Sequence, residues 1–243
     1  MPSNALSFVI TTLIVLVWVE GCKFLAHKRL LSAVNRRKLV HVMTGPIFLC
    51  TWGLFSNDMQ GALFAASVPA FMTTKFALIG LGILQDDDTV QTLSRRNLRS
   101  DILQGPLLYG LVFVASTIIY WKQTRGVIAL ICLCCGDGFA EIVGRKFGKQ
   151  KMVPWSTVKT VAGSIGFIAA SVIGSIVMVY VMRGLDADFE IISMTLFVPR
   201  ILSVACVAAF VESISESDID NFTVFIAAIL TDVLYCMFIF SGR

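Results

Sequence analysis

Apolar stretches long enough to cross a bilayer recur along this chain, and they decide what solvent it can fold in. A spanning helix needs about 20 largely apolar residues. Eight candidates can be marked: Leu6–Ala26, Leu39–Leu54, Gly61–Leu84, Pro106–Trp121, Gly126–Val143, Val161–Met182, Ile191–Val211 and Phe222–Phe240. Of 243 residues, 56% are apolar and only 15% charged, where a soluble domain has about a quarter charged. That is too much apolar sequence for one water-soluble core, so the remaining solvent is lipid. The expected fold is all-α, a polytopic transmembrane helix bundle of seven or eight spans. The second and fourth candidates are short. The fifth carries Asp137 and Glu141 and is a candidate for a break or partial insertion, so seven spans competes with eight. No Ser/Gly/Pro-rich linker, internal repeat or low-complexity tract divides the chain, and a single domain over residues 1–243 is expected.

Eight spans sort the basic residues by side. The side holding the 27–38 loop also receives loops 85–105, 144–160 and 212–221, and it collects 14 of the Lys and Arg residues against 5 on the other, with Lys75 inside a helix. The positive-inside rule turns that face to the cytoplasm or its equivalent. The net charge of +4 is too small to point to nucleic acid. The N-terminus runs straight into an apolar segment, read as a retained helix, which favours the endoplasmic reticulum membrane over the plastid envelope. The seven cysteines form no CxxC pair and read as small buried hydrophobes. A metal site at Cys132–Cys135 is the minor alternative, short of further ligands because His27 and His41 are the only histidines.

Several polar residues are left over once topology is accounted for. Asp137 lies in Gly136-Asp137-Gly138-Phe139-Ala140-Glu141. An ionised carboxylate near hydrocarbon costs at least a few kcal/mol, so it usually faces a polar cavity or a metal. Asp137 and Glu141 share a helix face, and Gly136 and Gly138 permit close backbone approach or a helix break. Next along the chain, Gly144-Arg145-Lys146-Phe147-Gly148-Lys149-Gln150-Lys151 and Lys159-Thr160-Val161-Ala162-Gly163-Ser164 combine ammonium groups, hydroxyls and glycines at a helix start. That is good chemistry for phosphates, though no Walker motif occurs. Arg37, Lys38 and His41 can share one face of the second helix, where snorkelling to the interface is the simpler account. Lys75 is deep enough to be expected in the bundle interior or a polar cavity. Glu212, Asp218, Asp220 and Asn221 are either a solvated acidic loop or, beside Asp137, oxygen ligands that could help hold Mg²⁺. The run Asp86-Asp87-Asp88 is expected to be a solvated loop.

Taken in order, these segments resemble the phytol/farnesol kinase family, part of the polyprenol kinase group that includes dolichol kinase. Arg37-Lys38-Leu39-Val40-His41 is similar to an RK-x-x-H helix entry. Val68-Pro69 with Lys75-Phe76 and Gly80-Leu81, then Ser94-Arg95 and Leu103-Gln104-Gly105-Pro106-Leu107, match further elements. Gly136-Asp137-Gly138-Phe139-Ala140 with Gly144-Arg145-Lys146-Phe147-Gly148, Lys159-Thr160-Val161-Ala162-Gly163-Ser164, Val211-Glu212-Ser213 and Asp220-Asn221 complete the set.

The resemblance implies phosphoryl transfer from a nucleoside triphosphate, typically CTP with ATP as the alternative, to the hydroxyl of an isoprenoid alcohol such as phytol, farnesol or geranylgeraniol. The lipid would sit among the helices of the bilayer, and the nucleotide would arrive at the cytoplasmic face. On this basis Asp137 takes Mg²⁺, with Asp220 or Glu212. Arg145, Lys146 and Lys159 hold phosphates, with Gly136, Gly138, Gly163 and Ser164 lining the nucleotide. Arg37, Lys38 and His41 complete the pocket, and Asp137 and His41 are both candidates for the base. Dolichol kinase, a CTP-dependent diacylglycerol kinase and a CTP:lipid cytidylyltransferase share the same look. A transporter is the alternative from another class, with Lys75, Asp137 and Glu212 along its path. It calls for paired broken helices in two matching halves, which the sequence lacks.

Overall fold

The computed structural model describes residues 2–28, 33–148, 152–186, 189, 194–215 and 219–241. Lys149, Lys151 and Asp218 lie outside them. Among the described residues the chain is all-α, with one isolated backbone bridge between Met152 and Thr160. The helices are α1 (Asn4–His27), α2 (Ala33–Thr51), α3 (Met59–Gly80), α4 (Asp87–Leu93), α5 (Gly105–Ile119), α6 (Thr124–Ile131), α7 (Asp137–Phe147), α8 (Val161–Leu185), α9 (Met194–Ile214) and α10 (Asp220–Ser241).

Among the described residues, seven helical segments are long and apolar enough to cross a membrane: α1, α3, α5 with the turn before it, α6 running into α7, α8, α9 and α10. The eighth candidate, in α2, falls short because Arg36, Arg37 and Lys38 occupy its N-terminal part. The apolar remainder from Leu39 to Thr51 is shorter than the ~20 residues a span needs. Large apolar side chains such as Val17, Phe71, Ile173 and Phe238 point outward from these helices, as a lipid-solvated surface requires and a water-solvated one would not tolerate.

The chain forms two compact units, Met1–Trp121 and Lys122–Arg243. In the first, α3 packs on α5 where small residues let the backbones close. A side chain at Gly110 would collide with Thr73, and one at Gly80 with Leu103. The aromatic rings of Phe48, Trp52, Phe55, Phe113 and Trp121 fill the space between α2 and α5. Lys75 is half-buried and pairs with Asp86 at 2.8 Å, which Lys23 also approaches at 3.5 Å. Asp86 in addition caps α4, accepting from the Thr89 N–H and hydroxyl. Burial works against its charge, but the bonds from Lys75 and Thr89 outweigh that and hold its carboxyl well below the usual range. The expected solvated loop therefore fails for Asp86, because it is the counter-ion that brings Lys75 out of the apolar interior. Asp87 and Asp88 are exposed, as expected, but they open α4 and are not in a loop.

In the second unit α6 does not break before α7. The two join through a π-helical turn, Cys132–Gly136, and the combined span is 72% buried, against 50% or less for the other six. A π turn inserts a residue and rotates the downstream part of the helix by about 100°, and here it precedes the buried Asp137, Gly138 and Ala140. Helix α8 packs along this span through glycines on both sides. A side chain at Gly136 would strike Ser171 and Phe167, one at Gly166 would strike Val143, and one at Gly174 would strike Ile131. Without a hydrophobic force between helices in lipid, such close backbone packing is a main source of association.

Two ion clusters are buried in this unit in addition to the expected site. Lys122 pairs with Asp186 at 2.6 Å. Asp232, 1% exposed in mid-α10, accepts from Arg125 at 2.6 Å and from two nitrogens of Arg200 at 2.6 and 2.9 Å. Removing one partner of a buried ion cluster typically costs about 3–5 kcal/mol. Asp232→Ala should therefore lower the unfolding temperature of the purified protein sharply in detergent, whereas Asp87→Ala, on the exposed surface, should leave it unchanged.

Candidate functional site

The site is assembled where the N-terminal ends of α8 and α10 and the C-terminal end of α9 come together. The segment before α8 folds back on itself. Val153 N–H donates to Lys159 O at 3.1 Å, and Ser156 Oγ accepts from the Lys159 N–H at 3.0 Å. This fixes the backbone of Lys159 and Thr160 just ahead of the helix. The segment then docks on α9 through two adjacent residues. Trp155 Nε1 donates to Ser213 Oγ at 2.9 Å with its ring edge against Phe210, and Lys159 Nζ donates to Glu212 Oε1. Lys159 Nζ also lies 3.9 Å from Asp220 Oδ2. The Ser215 and Thr223 hydroxyls, 2.8 Å apart, tie the end of α9 to the start of α10.

Glu212, Asp220 and Asp137 are 4%, 3% and 7% exposed. Burial of Lys159 by itself would lower its pKa. Glu212 first, then Asp220 and Asp137, outweigh that and hold the ammonium above its ordinary value. The structure thus brings Lys159, Glu212 and Asp220 together and sets Asp137 within electrostatic reach of them.

The glycines of the motif region meet at Thr160. Its Oγ1 caps α8 by accepting the Gly163 N–H at 3.1 Å. A Cβ on Gly144, Gly148 or Gly163 would lie 2.9, 2.4 or 3.1 Å from that same atom. These glycines therefore let the end of α7 close onto the start of α8 around one hydroxyl. The Gly163 amide goes to the cap and the Ser164 amide to Thr160 O, so the amides of Val161 and Ala162 precede the first bonds of the helix ladder. Gly136 likewise gives its close approach to α8, not to open space, while Gly138 is buried in the first turn of α7.

Arg145 and Lys146 are exposed in the last turn of α7. Arg145 pairs with Glu141 at 2.8 Å, and Lys146 Nζ sits over the Phe147 ring. Arg37, Lys38 and His41 belong to the first unit, on α2. Lys38 is buried there. His41 is half-buried, with its ring 4.8 Å from that of Tyr109, whose hydroxyl donates to His41 O at 2.8 Å. Sequence reasoning passed over Trp155, Thr160 as the hub of the glycine contacts, and the Arg125–Asp232–Arg200 cluster.

Among the described residues no three His, Cys, Asp or Glu side chains group closely enough to form a metal cage, the Cys132–Cys135 stretch included. Mg²⁺ does not need one, since it is usually held by one or two carboxylates together with substrate phosphates and waters. The buried all-oxygen set of Asp137, Glu212 and Asp220 fits that mode in chemistry.

Fold and site together define a polytopic membrane protein with a buried polar centre at the ends of three of its helices. The chain belongs to the cytidylyltransferase family, whose description matches residues 2–241. It is 40% identical over 201 residues to a farnesol kinase, chloroplastic, of Arabidopsis thaliana, covering 82% of this chain and 64% of that protein. It is 36% identical over 237 residues to a probable phytol kinase 3, chloroplastic, of Glycine max, covering 95% and 72%. With phytol kinase 1, chloroplastic, of Arabidopsis thaliana, the identity is 34%, covering 82% and 65%. The chain thus spans about two-thirds of the length of these relatives. No solved structure matches it.

A lysine whose pKa is raised on folding contributes stability that is complete below its unfolded value, 10.5, and is lost as pH rises through the higher folded value. Unfolding temperature in detergent should therefore decline above pH 10.5 in the wild type. Lys159→Met should be less stable below that pH and show a smaller alkaline decline. An identical alkaline decline in both proteins would count against the Lys159 cluster.

Proposed function

We propose that this protein is a membrane-embedded kinase that transfers a phosphoryl group from a nucleoside triphosphate, CTP in preference to ATP, to the hydroxyl of an isoprenoid alcohol such as phytol, farnesol or geranylgeraniol. One observation carries the reading: a buried lysine–carboxylate cluster, Lys159 with Glu212 and Asp220 beside Asp137, in a chain similar over most of its length to proteins named farnesol and phytol kinases. In phosphoryl transfer the alcohol oxygen forms a bond to the terminal phosphorus as the bond to the nucleoside diphosphate breaks. Catalysis is mostly positioning and charge stabilisation.

The residues of this chain divide that work. Asp137, with Glu212 or Asp220, would hold Mg²⁺, which when bound supplies charge neutralisation at the phosphates. Lys159 pairs with phosphate oxygens, in exchange for part of its contact with the carboxylates. Arg145 and Lys146, exposed at the end of α7, draw the triphosphate from water. The Val161 and Ala162 amides at the start of α8 present N–H groups of the kind that favour anions. The two candidates for taking the hydroxyl proton are Asp137 and His41. Arg37 and Lys38 keep the nucleotide-pocket role that the resemblance implies. The whole chain acts as one kinase domain with its active face towards the cytoplasm or stroma. The relatives named as chloroplastic support a plastid membrane over the endoplasmic reticulum expected from the sequence.

The family description favours one further reading, a cytidylyltransferase, and product analysis separates the two. Purified protein incubated with labelled CTP and a panel of phytol, farnesol, geranylgeraniol, dolichol and diacylglycerol should release CDP and a lipid monophosphate. Release of pyrophosphate with CMP left on the lipid would overturn the kinase reading. Asp137→Asn should lower kcat by about 100-fold or more, and full activity in that variant would remove Asp137 from the mechanism.

A further inference from the structure

The first turn of α10 carries a polar atom that the fold does not use. Asn221 is 6% exposed, and its Oδ1 has no hydrogen-bond partner among the described residues. Its backbone N–H donates to Asp220 Oδ1 at 2.9 Å, which ties it to the carboxylate that Lys159 approaches. Below it, the same helix face continues with Val224, Phe225 and Ala228, all buried. An apolar side chain at 221 would complete this stripe. A buried carbonyl oxygen without a donor is instead a cost to folding, and an unpaired polar group of this kind calls for an explanation.

We propose that Asn221 Oδ1 is the acceptor for the hydroxyl of the lipid alcohol, an inference that rests on the kinase function proposed above. The chemistry of the atom selects the partner. A carboxamide oxygen accepts hydrogen bonds and donates none. Phosphate oxygens are acceptors too, so they cannot pair with it. An isoprenoid alcohol has one donor, the hydroxyl at the end of its hydrocarbon. The flanking surface suits that hydrocarbon. Ile219 and Phe222, in the same turn as Asn221, are 48% and 51% exposed, so open apolar surface lies within one turn of it. The charged groups Lys159 and Asp220 stand next to Asn221, where the phosphate is needed. A carboxamide is not basic, so Asn221 orients the hydroxyl and leaves its proton to another group.

Steady-state kinetics on the purified full-length protein test this, with whichever panel alcohol the wild type phosphorylates best, comparing Asn221→Leu and Asn221→Asp. The leucine variant should raise KM for the alcohol, or lower kcat at saturating nucleotide, by about tenfold, with KM for the nucleotide held within about twofold. Its unfolding temperature should not fall, because the buried oxygen without a donor is removed. Asn221→Asp keeps an acceptor and should retain a lower alcohol KM than Asn221→Leu. Three outcomes would overturn the assignment: unchanged alcohol kinetics in the leucine variant, a rise confined to nucleotide KM or to the Mg²⁺ requirement, or a lowered unfolding temperature with both KM values unchanged. Each leaves the kinase reading standing. A wild type that phosphorylates no alcohol of the panel would remove that reading, and this inference with it.

Discussion

The ion pair between Lys159 and Glu212 is the contact on which the polar end of the second unit depends. It joins the segment before α8 to the last turn of α9, with Glu212 almost fully buried. Both carboxylates around the ammonium are almost completely buried, so neither partner has an easy alternative in solvent. Charges in such surroundings are stable only when paired. The pairing therefore fixes where the chain before α8 sits, and the Trp155–Ser213 bond beside it makes the docking bidentate. Glu212 and Ser213 are adjacent residues receiving adjacent parts of one segment. Glu212 and Ser213 of the Val211-Glu212-Ser213 motif thus have a structural task.

The glycines complete this frame by a different force. Gly144, Gly148 and Gly163 converge on Thr160 Oγ1, while Gly136, Gly166 and Gly174 let α8 lie close against the span containing Asp137. Their small size sets the separation of two helices, and that separation keeps Asp137 in the interior. The π turn acts on the same residue from within its own helix. Packing and helix register thus agree on burying a carboxylate that lipid would otherwise exclude. On the proposed function that agreement has a chemical use, because charges held in a dry, preorganised setting act on a phosphoryl group more strongly than charges in water.

The spans were legible because membrane helices are read from composition over windows of about 20 residues, a signal that local packing does not disturb. Seven of the eight candidates have the required length and apolar character. The one that does not, α2, carries three cations in its first two turns, which lie outside the hydrophobic run but belong to the helix. Lys159 was legible because it stands with a hydroxyl and glycines at a helix start, Glu212 and Asp220 as oxygen ligands on the same side, and Asp137 because a charge near hydrocarbon needs a reason. The same rule applies to Asp232, in the middle of the last candidate span. It escaped notice because its partners, Arg125 and Arg200, are distant in sequence and read as loop or helix-end charges. Asp86 was misread for the same cause: three consecutive aspartates resemble solvent-facing sequence, and only the fold shows that the first of them meets Lys75. Ion pairs between residues far apart in sequence leave no local pattern, whereas helix periodicity and length do.

A lipid kinase must bring a hydrocarbon-borne hydroxyl and a highly charged nucleotide to one point, and the two reactants favour opposite solvents. Under the kinase function proposed above, the second unit answers with a helix end at which both environments are present within one turn. Asp220 and Asn221 are neighbours at the start of α10: one belongs to the lysine–carboxylate cluster, and the other heads an apolar face. Ile219 and Phe222 in the same turn are exposed. A site built this way needs no deep cleft. It needs a charged group and a neutral acceptor held side by side at a membrane helix terminus, with the fold fixing the distance between them. The first turn of α10 has that composition, and the Lys159–Glu212 pair is what holds the charged half in place.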